Sequence, residues 1–86
     1  MADNIDADFD RAVAAVSALT ADPGNETKLR LYGLYKQATA GDVQGRRPGF
    51  TNPVGRAKHD AWASVSGTTT DEAKQRYVEL ARGLTG

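Results

Sequence analysis

The chain has 86 residues, 40% of them hydrophobic, with no cysteine and a formal net charge of zero. This length allows one small domain with a modest core, and the lack of cysteine excludes disulfides and thiolate metal sites. No apolar run reaches the ~20 residues of a membrane span, and the acidic start is unlike a secretory signal. We therefore expect a single domain over residues 1–86, a cytoplasmic monomer without stable membrane insertion.

Charge is distributed unevenly along the chain. Residues 1–27 carry six acidic residues and one basic residue, whereas residues 28–58 carry seven basic residues and one acidic residue. A basic block within a neutral protein indicates an anionic partner that is met locally. The alternative is a solvated surface in which the basic block pairs with the acidic first segment.

The first predicted helix covers residues 6–19. Its apolar side chains recur at spacings of three and four residues and share one face: Phe9, Ala12, Val13, Val16 and Leu19. We expect Asp6 or Asp8 to cap its start, where a carboxylate also suits the positive end of the helix dipole. The Pro23-Gly24 pair marks the turn that follows.

The second predicted helix covers residues 26–40. We expect Asn25 to cap its start and Gly41 to take the left-handed position after its end. Its core stripe is predicted to contain Leu31, Leu34 and Ala38. Gly33 costs this helix about 1 kcal/mol relative to alanine. That leaves two explanations for Gly33, a ligand lying close to the helix or close contact with another helix.

Tyr32, Tyr35 and Lys36 lie at positions i, i+3 and i+4 of this helix, so their side chains are neighbours. Packing a helix into a bundle does not require two aromatic rings beside a lysine. The combination suits a ligand that is flat, apolar and anionic. Stacking of a planar base on an aromatic ring, with lysine on a nearby phosphate, is a common way to hold a nucleotide.

A glycine-rich loop is predicted at residues 41–52, and loops of this length in compact domains are often functional. Asn52 and Pro53 then fit the N-cap and first position of a third helix, which we expect to run to about Val65.

The fourth predicted helix begins at a capping box formed by Thr69 and Glu72. We expect it to run to about Arg82, with Gly83 as its stop and Tyr77 on its apolar face. The chain therefore reads as four short helices joined by glycine and proline turns, which predicts an all-α bundle.

Enzyme chemistry finds little support in the sequence. His59 is the only histidine, and Asp60 beside it does not share its helix face, so neither a catalytic dyad nor a metal site is indicated. We expect no catalysis, no metal and no cofactor. Basic segments with aromatic residues also bind single-stranded nucleic acid, but the near-neutral isoelectric point and the lack of a recognition motif disfavour that partner.

Four features carry a more specific resemblance: YGLYKQATAGDV at 32–43, RRPG at 46–49, GRAKHDAW at 55–62, and Tyr77 in the last helix. In this order and separation they resemble the acyl-CoA-binding protein family, over nearly the whole chain. The resemblance implies a four-helix up-down-down-up bundle. It also implies a carrier that binds long-chain acyl-CoA thioesters and sequesters, buffers and transports them without catalysis.

The resemblance further implies a set of ligand contacts. The predicted contacts are Tyr32, Gly33, Leu34, Tyr35, Lys36, Lys58 and Tyr77. In the family, the tyrosines and lysine of the Y-x-x-Y-K pattern contact the nucleotide and phosphates, and Lys58 falls on the lysine at the ribose phosphate. Trp62 matches a tryptophan whose role is mainly structural.

The chain departs from the family pattern at three positions. Ser17 and Val54 stand where lysine is common, and His59 replaces the first tryptophan of the usual W-D-A-W. The site thereby loses two positive charges and one aromatic ring. The resemblance therefore implies weaker binding of the headgroup, or compensation by Arg30 or Arg56.

Two other classes of function stay open. One is a protein-interaction module on the same fold that has lost its ligand and docks an acidic protein surface. The other is an accessory domain of a larger enzyme acting on CoA esters. The extent from Met1 to Gly86 argues against this class, because it favours a complete chain.

Overall fold

A computed structural model describes residues 4–85, so that Asp3 of the acidic first segment lies outside it. This part of the chain forms four helices and no strand: α1 (Ile5–Ser17), α2 (Asn25–Ala40), α3 (Pro53–Ala63) and α4 (Thr70–Thr85). The predicted all-α class is confirmed. None of these helices is both long and apolar enough to cross a membrane.

Helix α4 packs between α1 and α2, and α2 packs between α4 and α3. The start of α1 meets the start of α4, where Asp6 pairs with Lys74 at 2.6 Å. One turn further along both helices, the ring of Phe9 lies against the ring of Tyr77. Helices α1 and α4 therefore run in the same direction.

Helix α2 runs against α4 and alongside α3. Near its end, the side chain of Gln37 bonds to Thr68, which lies just before α4. Asn25 at its start shares a groove with Val54 at the start of α3. The carbonyl just beyond its end accepts a hydrogen bond from Trp62, near the end of α3. These contacts confirm the predicted up-down-down-up order.

The N-cap of α1 is Asn4, whose side-chain oxygen accepts a hydrogen bond from the N–H of Ala7 at 3.1 Å. The prediction that Asp6 or Asp8 caps the helix was wrong, because both lie inside its first turn. There their carboxylates form ion pairs with basic side chains of α4 and α1. The helix also ends at Ser17, two residues before the predicted end.

Helix α2 begins one residue earlier than predicted. Its first residue is Asn25 and its N-cap position is Gly24, which offers no side-chain cap, so the prediction of Asn25 as the cap was wrong. Asp22 instead accepts from the N–H of Gly24 at 2.7 Å and pairs with Lys28 at 2.9 Å. Gly41 has the expected positive φ, 83°, but its ψ of −152° lies outside the left-handed helical region.

The predicted start of α3 is confirmed. Asn52 accepts a hydrogen bond from the N–H of Gly55 at 3.0 Å, and Pro53 takes the first helical position, where its missing N–H costs no helix bond. The helix ends at Ala63, two residues before the predicted Val65.

The capping box of α4 is half formed. The Thr69 hydroxyl accepts from the N–H of Glu72 at 3.1 Å, as predicted, while the carboxylate of Glu72 accepts from Arg76 at 3.0 Å. The predicted stop at Gly83 was wrong, because this glycine lies inside α4. Leu84 beyond it packs against the core, so the apolar face of the helix continues past the glycine.

The hydrophobic core lies where α1, α2 and α4 meet. Phe9 and Tyr77 are buried in it, and the predicted α2 stripe of Leu31, Leu34 and Ala38 is confirmed, each being 8% exposed or less. A fully buried leucine or phenylalanine side chain contributes roughly 1.5–3 kcal/mol to stability. Helix α3 buries none of its residues fully, so its position depends on its contact with α2.

Gly33 makes that contact close. A Cβ atom at this position would lie 2.5 Å from the carbonyl oxygen of Ala61 and 3.3 Å from the backbone nitrogen of Trp62. Neither atom belongs to a side chain that could rotate away. Of the two explanations that the sequence left for Gly33, the structure therefore supports close helix contact.

The end of α2 is tied to the turn between α3 and α4 by a buried side chain. Gln37 is 1% exposed, and its amide nitrogen donates to Asp42 at 2.8 Å and to the carbonyl of Thr68 at 2.7 Å. The N–H of Gly67 donates to the same Asp42 oxygen at 2.8 Å. These bonds give the Q and D of the YKQATAGD block a structural role.

The same bonds favour the ionised form of Asp42. The N–H of Gly67, and then the amide of Gln37, hold the pKa of its carboxyl below its ordinary value of 3.8. A lowered folded-state pKa means that the carboxylate stabilises the fold above pH 3.8. That contribution is lost as the pH falls through the folded-state pKa.

Replacement of Gly33 by alanine should destabilise the protein by about 1–3 kcal/mol, because the α2 and α3 backbones must separate to admit the new methyl group. Urea unfolding measures the change. The matched control is Gly83→Ala, since Gly83 is also helical but has open space around it. The control should be neutral or stabilising by up to ~1 kcal/mol. Equal effects of the two substitutions would contradict the close contact.

The Asp42→Asn variant should be less stable than the parent at pH 7, since asparagine keeps the acceptor oxygen but not the charge. The difference should shrink as the pH falls through the lowered pKa of Asp42, because the parent carboxyl is then protonated. Urea unfolding of both proteins across this range tests the expectation. A stability difference that is the same at neutral and acidic pH would show that the charge contributes nothing.

Candidate functional site

The two tyrosines of α2 contact different helices. Tyr35 points toward α1 and α4, where its ring centre lies 6.0 Å from that of Phe9, nearly stacked, and 6.5 Å from that of Tyr77. Phe9 and Tyr77 meet edge to face at 5.1 Å. Tyr35 is 40% exposed whereas Tyr77 is 4% exposed, so Tyr35 presents the accessible ring of this aromatic cluster.

Burial has a chemical effect on Tyr77. It raises the pKa of the Tyr77 hydroxyl above its ordinary value of 10.0, with a smaller contribution from Tyr35. The hydroxyl therefore stays neutral at physiological pH, and Tyr77 supplies an uncharged polar group behind the exposed ring.

Tyr32 is directed toward α3. The Lys58 ammonium lies 5.4 Å from the centre of the Tyr32 ring, and the Lys36 ammonium lies 4.8 Å from the centre of the Trp62 ring. Each helix thus contributes one lysine and one aromatic residue, four positions apart. We call these contacts the two lysine–aromatic pairs; such contacts contribute about 0.5–1 kcal/mol each at exposed sites.

Trp62 has the structural role expected of it. Its indole N–H donates to the carbonyl of Gly41 at 2.7 Å, which fixes the ring against the end of α2. The ring therefore offers Lys36 a rigid surface, and the ammonium is held above it without a carboxylate partner.

The ion pairs of the basic block decide between the two explanations of its charge. Lys28 and Arg30 pair with acidic residues of the first segment, as the solvated-surface alternative requires. Within the basic block, residues 28–58, four basic side chains have no ion pair: Lys36, Arg46, Arg56 and Lys58. Both lysines of the lysine–aromatic pairs belong to this group, so their charge is available to an anionic ligand.

The loop at 41–52 is fixed to α3. Arg47 donates two hydrogen bonds to the carboxylate of Asp60, both at 2.8 Å, and Nε2 of His59 lies 3.3 Å from the carbonyl of Gly45. Arg47 lowers the pKa of Asp60, which keeps the pair ionised. His59 thus faces the loop.

An apolar groove of about 410 Å³ lies between the first turns of α2 and α3. Its lining residues are Asn25, Lys28, Leu29, Pro53, Val54, Ala57 and Lys58. Lys58 also covers Tyr32, so the groove adjoins one of the two lysine–aromatic pairs. An unpaired cation thus stands where the apolar groove meets the aromatic surface.

A second apolar groove, of about 490 Å³, is larger but electrostatically different. It is lined by Leu29, Leu34 and Val65 among others, and its two arginines are Arg30 and Arg76. Both arginines are paired with glutamates of their own helices. An anionic ligand would have to displace those carboxylates, so the first groove is the better candidate.

The predicted site residues take part in two sets of contacts. Lys36, Lys58 and Tyr32 make contacts between α2 and α3, while Tyr35 and Tyr77 belong to the aromatic cluster with Phe9. The two remaining predicted contacts, Gly33 and Leu34, pack against the α3 backbone and in the core, respectively. Their contact with a ligand stays a prediction.

Sequence reasoning missed Leu29 and Ala57 as groove residues and gave Phe9 a core role alone. A signal for Leu29 was available, because it lies three positions before Tyr32 and so on the same helix face. No comparable signal marked Ala57, because its place in a groove depends on how α3 packs on α2.

No metal site accompanies these residues. In residues 4–85 no group of three or more histidine, cysteine, aspartate or glutamate side chains is placed to hold a metal ion. The arrangement offers cations, exposed rings and an apolar groove, which together suit binding of an amphipathic anion.

Known proteins match this chain over most of its length. A family model described as acyl CoA binding protein matches residues 6–81. An acyl-CoA-binding protein of Brassica napus is 49% identical over 77 residues, which cover 90% of this chain and 84% of that protein. Enoyl-CoA delta isomerase 2 of Rattus norvegicus is 47% identical over 77 residues, but this chain spans only 20% of its length.

This chain is also similar to solved structures of acyl-CoA-binding proteins. The crystal structure of Oryza sativa acyl-CoA-binding protein 2 superposes with a TM-score of 0.90 at 40% sequence identity, covering 94% of this chain and 90% of that one. The similarity thus extends over the whole bundle, including both helices that form the candidate site.

Proposed function

This chain belongs to the acyl-CoA-binding protein family, and on that premise we propose that it is a non-catalytic carrier of long-chain fatty acyl-CoA thioesters. In this role it would sequester, buffer and transport its ligand as a cytoplasmic monomer, with no cofactor. The observation that carries the proposal is the position of two unpaired lysines, held over aromatic rings, beside an apolar groove.

We propose that Lys36 and Lys58 bind the phosphates of the CoA headgroup. Neither lysine forms an ion pair within residues 4–85, so a phosphate need not displace a carboxylate to reach them. A charge-assisted hydrogen bond to each would contribute about 1.5–3 kcal/mol. This selectivity for the headgroup would distinguish the thioester from a free fatty acid.

The exposed rings would receive the adenine. Tyr35 is 40% exposed and held by Phe9 and Tyr77, so its orientation is fixed before a planar base stacks on it. The ring of Tyr32, on the same helix, lies beside Lys58. We propose that Tyr77, which is almost fully buried, acts chiefly by supporting the Tyr35 ring.

The acyl tail would occupy the groove between the starts of α2 and α3. Each buried methylene contributes about 0.8 kcal/mol, so a long chain supplies on the order of 10 kcal/mol before the costs of ordering the ligand. Leu29 and Ala57 form the apolar walls, and Lys58 stands where tail and headgroup would join.

The similarity to enoyl-CoA delta isomerase 2 does not extend the proposal to catalysis. This chain matches only 20% of that enzyme, and the matching part is the length of one small domain. His59 is the only histidine of the chain and bonds toward the loop at Gly45. The two lysine–aromatic pairs contain no histidine or carboxylate side chain.

Lys36→Ala should weaken palmitoyl-CoA binding at least tenfold, because one charge-assisted phosphate contact is removed. Calorimetric titration measures this, with free CoA and palmitate as weak-binding reference ligands. Arg82→Ala is the matched control, since this exposed cation lies on α4 in the groove shared with α1. An unchanged dissociation constant would remove Lys36 from the site, and a parent protein that binds none of the three ligands would overturn the proposed function.

Ala57→Leu should weaken palmitoyl-CoA binding severalfold and leave butyryl-CoA binding nearly unchanged, because the added carbons would fill the groove that only a long tail reaches. Titration of both ligands gives the comparison. Ala14→Leu on the exposed face of α1 is the control. A loss that is equal for the two ligands would place the tail elsewhere.

A further inference from the structure

Two large apolar side chains project into solvent where the 41–52 loop enters α3. Phe50 is 82% exposed and Val54 is 66% exposed. Leaving a phenylalanine and a valine in water forgoes the stabilisation that burial would give. Large exposed apolar side chains that lie together mark a surface that meets another apolar phase.

The position of Phe50 is fixed by its loop. On one side Arg47 holds the loop to Asp60 with two hydrogen bonds of 2.8 Å. On the other side the N–H of Asn52 donates to the carbonyl of Gly49 at 3.0 Å and closes a turn around Phe50. The ring is therefore presented by a braced turn.

The sequence around these side chains is rich in basic residues. Residues 43–58 contain four basic residues and no acidic one. Arg46 has no ion pair among residues 4–85, and Arg47 pairs with the carboxylate of Asp60. We call the exposed surface of Arg46, Phe50 and Val54 the docking face.

The docking face is continuous with the proposed tail groove. Val54 belongs to both, and Pro53 beside it also lines the groove. A layer of anionic headgroups over acyl chains matches this combination of a cation and apolar side chains.

We propose that the docking face binds the surface of membranes that contain anionic lipids. Phe50 and Val54 enter the boundary between headgroups and acyl chains, while Arg46 contacts lipid phosphates. The binding is peripheral and reversible, since two apolar side chains and one cation fall far short of a spanning helix. Membrane binding rests on the proposed function in one respect only. The opening of the proposed tail groove would then face the bilayer.

Vesicle co-sedimentation without acyl-CoA tests the proposal independently of ligand binding. The parent protein should bind phosphatidylcholine vesicles containing about one-third phosphatidylglycerol at least tenfold more tightly than pure phosphatidylcholine vesicles, and high salt should weaken the binding. Equal binding to both vesicles, or binding to neither, would overturn the proposal whatever the outcome of the palmitoyl-CoA titration.

Two substitutions separate the apolar and charged parts of the docking face. Phe50→Ser should weaken vesicle binding roughly tenfold, and Arg46→Glu, which changes the charge by two, should weaken it about 25-fold at about fivefold per charge. Arg82→Glu on α4 is the charge-matched control and should change it little. Circular dichroism and palmitoyl-CoA titration in solution should be unaltered in all three variants.

The Phe50→Trp variant tests whether the ring at position 50 inserts into the bilayer. Brominated lipids should quench this variant more strongly than the parent, whose single tryptophan is Trp62. Equal quenching in the two proteins would overturn insertion. Concentration-dependent dimers that disappear in Phe50→Ser, with no vesicle binding, would assign the face to a second copy of the chain instead.

Discussion

The close approach of α2 and α3 at Gly33 sets the geometry on which the candidate site depends. Helix α3 buries none of its residues fully, so its place in the bundle follows from this backbone contact and from the bond between Trp62 and Gly41. The same approach brings a lysine of each helix over an aromatic ring of the other. A small residue on α2 thereby determines where two charges stand several residues away.

A lysine held over an aromatic ring differs from a lysine paired with a carboxylate in what happens when a phosphate binds. A lysine paired with a carboxylate must exchange one anion for another when a phosphate arrives, and it leaves the carboxylate unpaired. An aromatic ring holds an ammonium by its quadrupole and carries no net charge, so it can release the cation without leaving an ion behind. Elsewhere in the basic block, Lys28, Arg30 and Arg47 are paired with carboxylates. The same short stretch of sequence therefore contains cations that are held in structural ion pairs and, in Lys36 and Lys58, cations that are available to a ligand.

Much of the fold could be predicted from spacing and punctuation, because an amphipathic stripe and a cap are local properties. The core stripe of α2 and the Asn52 cap were predicted correctly. The end of α4 was not, because Gly83 was predicted as the stop although Leu84, on the same apolar face, packs against the core and the helix continues to Thr85. The candidate site was predicted from the family resemblance more than from residue spacing. Two tyrosines three positions apart are neighbours on a helix, yet Tyr35 packs toward α1 and α4 while Tyr32 faces α3. Sequence spacing does not reveal which helix lies opposite.

The parallel course of α1 and α4 bears on how such a bundle combines with other domains. Because the start of α1 lies beside Lys74, the end of α4 is eleven residues further along that helix, about 16 Å away at 1.5 Å per residue. Domains inserted into the loops of others have ends that lie close together. A bundle whose ends point in opposite directions is suited instead to a linear, bead-like order within a longer polypeptide.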